Sequence, residues 1–128
     1  MTVDEMDRQM MQRALELARR GLGCTAPNPA VGAVVARGSN VLGEGWHQRA
    51  GGPHAEILAL ESAGEASAGA TLYVTLEPCS THGKTPPCTD AILASGVTRV
   101  VFGATDPTVP NRNRAEEILR RAGISTVR

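Results

Sequence analysis

The chain has very few aromatic residues, only Trp46, Tyr73 and Phe102. Splayed nucleic-acid bases are usually held on aromatic rings, so this scarcity argues against a single-strand or RNA-binding surface. An excess of charge of either sign is also missing. Thirteen basic and thirteen acidic residues cancel, which removes any global field drawing in nucleic acid or an anionic membrane. No apolar run approaches the about 20 residues of a membrane span, and Asp4, Glu5 and Asp7 stand where a secretory leader would be basic. These absences lead to the expectation of a soluble, cytoplasmic protein. Cysteine is scarce as well. Cys24, Cys79 and Cys88 are an odd number, and in a reducing compartment cysteines near a histidine are better read as metal ligands than as a disulfide scaffold. Internal repeats and low-complexity tracts are lacking, and 128 residues suffice for one core rather than two. One domain spanning residues 1–128 is expected.

What is present alternates between helical and strand patterns. Met6, Met10, Ala14, Leu17 and Ala18 form a helical stripe within residues 4–20, stopped by Gly21 and Gly23. Residues 30–36 are a nearly continuous run of small apolar residues, which suits a strand covered on both faces. Gly38-Ser39-Asn40 then turns the chain into a second strand, residues 41–46, so the two pair as a hairpin. His54 opens a helix to about Ala63, and a loop follows over residues 64–69. Residues 71–76 read as a third strand ended by Pro78, which cannot continue a central ladder. Pro86-Pro87 prefaces a helix over residues 89–95, residues 99–103 a fourth strand, residues 115–122 a helix and residues 124–127 a last strand. Strands alternating with helices predict an α/β fold: a three-layer α/β/α sandwich around a five-stranded mixed sheet.

The chemistry is concentrated in His54-Ala55-Glu56, Pro78-Cys79 and Pro87-Cys88. One imidazole and two thiolates are a ligand set for zinc, and three protein ligands leave a fourth position for water, whose pKa the metal lowers to about 7. Glu56 would then move that water's proton to a departing amine, the division of labour in zinc nucleobase deaminases. His54 and Glu56, two apart, point about 200° away from each other around a helix; both reach one site only if it lies off the helix's amino-terminal end. Cys88 starts its own helix, so two positive helix ends would converge on the metal and favour thiolate. The competing reading is a structural zinc module saturated by four protein ligands, with Cys24 as the fourth. Glu56 counts against it, because a closed site has no use for an adjacent carboxylate.

The segments Asn28-Pro29-Ala30-Val31-Gly32, His47-Gln48-Arg49-Ala50-Gly51, Pro53-His54-Ala55-Glu56 and the run from Thr75 to Cys88 resemble the deaminase domain of riboflavin biosynthesis, the diaminohydroxyphosphoribosylaminopyrimidine deaminases of the cytidine deaminase-like superfamily. The eight residues between Cys79 and Cys88 are the most specific element, since many relatives acting on cytosine or adenine have two. The resemblance implies Zn²⁺ held by His54, Cys79 and Cys88, with Glu56 as proton carrier. It also implies hydrolytic loss of the 2-amino group from 2,5-diamino-6-ribosylamino-4-pyrimidinone 5'-phosphate, and a dimer or tetramer. Substrate contacts are expected from Asn28, from His82, Lys84 and Thr85 in the loop between the cysteines, and from Asp106. His47 stands between substrate contact and loop packing.

Two departures bear on that carry-over. Relatives often continue into an NADPH-dependent reductase, and none is expected here. After Asp106-Pro107, where the family usually has Asn-Pro and a Gly-x-Gly segment, this chain reads Thr108-Val109-Pro110-Asn111-Arg112-Asn113-Arg114. Asn113 can cap the next helix, and Arg112 and Arg114 near its positive end can form a phosphate or carboxylate site; alternatively they pair with Glu116 and Glu117. The altered segment keeps open a pathway-specific deaminase of a related aminopyrimidine or purine-like heterocycle in secondary metabolism. A tRNA or other nucleic-acid deaminase is the weaker alternative, resting on the arginines from Arg112 onward.

Overall fold

A computed structural model describes residues 5–23, 30–49, 52–76, 88–103 and 114–127. In chain order these form α1 (Glu5–Arg19), β1 (Gly32–Arg37), β2 (Asn40–Trp46), α2 (Ala55–Ala63), a 3-10 turn (Gly64–Ser67), β3 (Thr71–Val74), α3 (Cys88–Ser95), β4 (Arg99–Phe102), α4 (Arg114–Arg121) and β5 (Ser125–Val127). Among the described residues the strands make one mixed sheet in the order β2-β1-β3-β4-β5. β1 is antiparallel to both β2 and β3, whereas β3, β4 and β5 are parallel. The expected layered α/β/α fold is observed.

The alternation of β1 explains the layers. Ala33 and Val35 face a cluster built with Ala55, Ala59 and Leu60 of α2, Ile92 of α3 and Leu119 of α4. Val34 and Ala36 face the opposite cluster, with Met10, Ala14 and Leu17 of α1. Both faces are therefore dry, as the apolar run required. Fully buried Leu72, Ile92, Phe102 and Leu119 contribute roughly 1.5–3 kcal/mol each relative to exposure.

Glycines set how closely the helices approach. A Cβ on Gly32 would strike the backbone of α1 at Ala14, and on Gly43 or Gly45 it would strike the backbone of α2 at Ala59 or Ala55. Only hydrogen fits there, so α2 lies flat on β2 and its amino-terminal end is fixed beside Gly45. Gly45 pairs with Ala33, which pairs with Val74 at the carboxyl end of β3. The amino-terminal end of α2 therefore arrives where ligands bind in open α/β sheets, outside the carboxyl ends of the parallel strands.

Several boundaries differ from the sequence expectation. β1 begins at Gly32 rather than Ala30, and a 3-10 turn occupies part of the expected loop after α2. β3 ends at Val74, before Leu76. The cause is Thr75, whose amide donates to Gly32 O at 3.1 Å while its hydroxyl accepts from Gly32 N at 3.2 Å. A side chain there takes the place of the next ladder acceptor. Pro78, Pro86, Pro87 and Asn113, also used for boundaries, lie outside the described residues. No helix among the described residues is long and apolar enough to cross a membrane.

Candidate active site

His54 is the N-cap of α2, with extended backbone at φ −73° and ψ 158°, and its imidazole makes no capping hydrogen bond to the helix. The ring turns instead toward α3. Its Nδ1 lies 3.1 Å from Sγ of Cys88, the first residue of that helix. The convergence of two helix ends expected from sequence is present, and Cys88 is buried. Glu56, two residues further along, is in the first turn of α2 and only 4% exposed. An extended N-cap followed by a first-turn residue resolves the 200° problem: the histidine is not on the helix wall at all.

His47 holds this corner together. Its amide donates to Val31 O at 2.9 Å, tying it to the start of β1. Its Nδ1–H donates to Pro53 O at 3.0 Å, the carbonyl immediately before His54. The two imidazoles meet edge to face, with centroids 5.4 Å apart and planes at 86°. His47 is 3% exposed, and its bond to Pro53 O ties it to the loop that presents His54.

The remaining candidates divide cleanly. Cys24, Asn28, Cys79, His82, Lys84, Thr85, Asp106 and Arg112 lie outside the described residues, and of Arg114, which opens α4, only the backbone is described. The acids considered as its partners have other arginines nearby: Glu117 lies 2.6 Å from Arg121 and Glu116 3.6 Å from Arg120, one helical turn on.

The two expected donors that are described, His54 and Cys88, stand at a separation that suits a shared zinc ion. Nitrogen and sulfur ligands of tetrahedral zinc at ordinary bond lengths stand about 3.6 Å apart, and Nδ1 and Sγ are within about half an ångström of that here. Imidazole and thiol are poor hydrogen-bond partners for each other and good partners for a borderline-soft cation. Glu56, buried in the first turn of the same helix, is the carboxylate nearest to His54 along the chain.

One buried charged cluster escaped sequence reasoning. Asp7, 2% exposed, accepts from the Tyr73 hydroxyl at 2.8 Å, and Arg99 donates to both its oxygens at 2.7 and 2.6 Å. It joins α1 to β3 and β4. The signal was in the helical period, since Asp7, Met10, Ala14 and Leu17 share one face of α1; the acid was read as part of an acidic terminus instead.

Residues 4–104 match the family described as the cytidine and deoxycytidylate deaminase zinc-binding region. The chain belongs to this deaminase family. Among the relatives of this zinc-binding deaminase domain, the riboflavin biosynthesis protein RibD of Aquifex aeolicus is 52% identical over 95% of the chain, and the match spans 34% of that protein. The diaminohydroxyphosphoribosylamino-pyrimidine deaminase of Buchnera aphidicola subsp. Schizaphis graminum is 47% identical, with 93% of the chain matching 81% of its length. Acinetobacter baumannii RibD superposes with a TM-score of 0.93 at 47% identity, over 96% of this chain and 35% of that one. The deaminase domain thus spans about a third of the length of the RibD proteins it matches, and its cytidine deaminase-like fold is the one the sequence implied.

Proposed function

We propose that residues 1–128 form a single deaminase domain that hydrolytically removes the 2-amino group of 2,5-diamino-6-ribosylamino-4-pyrimidinone 5'-phosphate and releases ammonia. The observation that carries this reading is the meeting of His54 Nδ1 and Cys88 Sγ at two helix amino-terminal ends, with Glu56 buried in the first turn of the helix that His54 caps. His54, Cys88 and Cys79 hold the zinc, which when bound supplies a Lewis acid and an acidified water. Glu56 would carry one proton of the attacking water to the ring nitrogen and then the second, from the hydroxyl formed on the ring carbon, to the leaving amine, which departs as ammonia. Its burial excludes bulk water, so the proton stays on the path between water, carboxylate and substrate.

His47 keeps the loop before α2 in place, so the imidazole of His54 does not have to be ordered when substrate arrives. Asn28, His82, Lys84, Thr85 and Asp106 bind the pyrimidine and its ribose phosphate, with Arg112 and Arg114 as additional anion contacts. The working form is a homo-oligomer. Names of relatives support this substrate, above all the Buchnera aphidicola protein, most of whose length is matched. The departure at Thr108–Arg114 favours a second reading, a deaminase of a related aminopyrimidine from another pathway. Ammonia release from a panel of aminopyrimidines, aminopurines and their nucleotides separates the two. Highest kcat/KM on the diaminopyrimidinone ribotide is expected, and a preference for any other heterocycle would overturn the substrate assignment.

A further inference from the structure

One peptide unit at the start of β1 is held from both neighbouring strands, since β1 lies between β2 and β3 in the sheet. The carbonyl of that unit, Val31 O, accepts from the amide of His47 at 2.9 Å, just past the end of β2. Its N–H, on Gly32, donates to the Thr75 hydroxyl at 3.2 Å, just past the end of β3. Both bonds fall on one rigid plane, so fixing one end of it fixes the other, and each bond polarises the unit in favour of its partner. His47 carries the connection onward, because its Nδ1–H reaches Pro53 O at 3.0 Å, the carbonyl that precedes His54. A chain of hydrogen bonds thus runs from Thr75, through one peptide and one imidazole, to the loop that presents His54 to Cys88.

The bond to the Thr75 hydroxyl is not a by-product of strand pairing. Ala33 pairs with Val74, and one step further the Thr75 amide donates to Gly32 O at 3.1 Å. A regular antiparallel pair would return the second bond from Gly32 N to the Thr75 carbonyl. The hydroxyl receives that bond instead. The Thr75 carbonyl oxygen lies toward Gly103, just past β4, where an added Cβ would come within 2.9 Å of it. β3 can therefore leave the ladder at Thr75 while the Gly32 N–H keeps an acceptor.

We propose that Thr75 is a positioning residue for the metal pair: its hydroxyl fixes the Val31–Gly32 peptide that seats His47, and through His47 the approach of His54 to Cys88. The role rests on the reading of His54 and Cys88 as zinc ligands. Thr75 acts only through these intermediate groups, so its loss leaves every ligand atom in the chain and removes the restraint on where His54 points. Groups that orient a metal-binding histidine govern how tightly the metal is kept, and the expected consequence is faster loss of zinc from a folded protein.

The rate of zinc transfer from the zinc-loaded chain to a chromophoric chelator, measured beside amide hydrogen exchange, tests this. Thr75→Val keeps the shape and removes the acceptor, so zinc release should accelerate about ten-fold or more, and exchange at the Gly32 and His47 amides about ten-fold. Thr75→Ala removes the same hydroxyl without placing a methyl group against Gly32, and should give the same result if valine disturbs the fold. Thr75→Ser retains the hydroxyl and should return both readouts to near their native values. Tyr73→Phe serves as the control for a merely structural loss: it deletes a hydroxyl from the same strand on the opposite face, where it meets Asp7. It should lower the thermal midpoint and leave zinc release native. Native release in Thr75→Val and Thr75→Ala, no rescue in Thr75→Ser, or equal acceleration in Tyr73→Phe would overturn the positioning role alone. A native chain that takes up no zinc would overturn the reading of the site and this role with it.

Discussion

Asp7 and Glu56 are carboxylates buried to almost the same degree on opposite faces of one sheet, and their surroundings differ in kind. Asp7 is met by a phenol and a bidentate guanidinium that answer its charge from two neighbouring strands. Glu56 is in the first turn of α2, two residues after the His54 imidazole that meets the Cys88 thiol across two helix ends. Burial alone therefore does not mark a reactive group; the chemistry of the neighbours does. Arginine and tyrosine stabilise a carboxylate as it stands. Histidine and cysteine are donors that suit a borderline-soft cation such as zinc, and the role proposed for Glu56 is to move a proton there.

The largest expected effect breaks the comparison at Glu56. Glu56→Gln keeps the shape and removes the base, so kcat should fall by about 10²- to 10⁴-fold, with zinc content and thermal midpoint close to those of the native protein. Asp7→Ala should do the reverse. Removing the buried acceptor of the Tyr73 hydroxyl and of the partly buried Arg99 guanidinium should cost about 3 kcal/mol in urea unfolding, while the folded fraction still releases ammonia at the native rate. If the two substitutions exchanged these signatures, the division between the faces would be wrong.

A smaller effect tests how the active face is positioned. Gly45→Ala places a Cβ against the α2 backbone at Ala55. Overpacking of this kind costs about 1–3 kcal/mol, and because α2 must retreat, zinc retention should weaken along with stability. Gly23→Ala, at φ 82° with open space around it, should cost stability and leave zinc retention unchanged. Equal loss of zinc in both would dissociate metal binding from the seating of α2.

The smallest effect is electrostatic. The Arg13 guanidinium hydrogen-bonded to Glu44 holds that carboxyl below its ordinary value of 4.5. On acidification the unfolded chain takes up this proton first, so the stabilisation is present above about pH 4.5 and is lost as the pH falls through the folded value. The pair is partly exposed, and its loss in Glu44→Gln should amount to less than about 1 kcal/mol near neutrality. Urea midpoints of the two proteins should converge at acid pH.

Much of this architecture is legible in the order of residues. The apolar period placed α1, the small-residue run placed β1 between two covered faces, and His54, Glu56 and Cys88 fell where helices begin. What was not legible depends on contacts distant in sequence. Thr75 ends β3 by reaching Gly32, more than forty residues away, so the proline rule set the boundary too late. Gly43 and Gly45 read as weak points of a strand, and only the packed α2 shows why nothing larger fits. Asp7 required knowing that Arg99 and Tyr73 would arrive beneath it.

X-ray absorption at the zinc edge, on protein purified without chelator, tests the central claim most directly. The expected result is about one zinc per chain with one nitrogen, two sulfur and one oxygen neighbour, the same set in Glu56→Gln because the carboxylate is not a ligand. Zinc saturated by four protein ligands, or a chain that releases ammonia at full rate with no zinc bound, would contradict it.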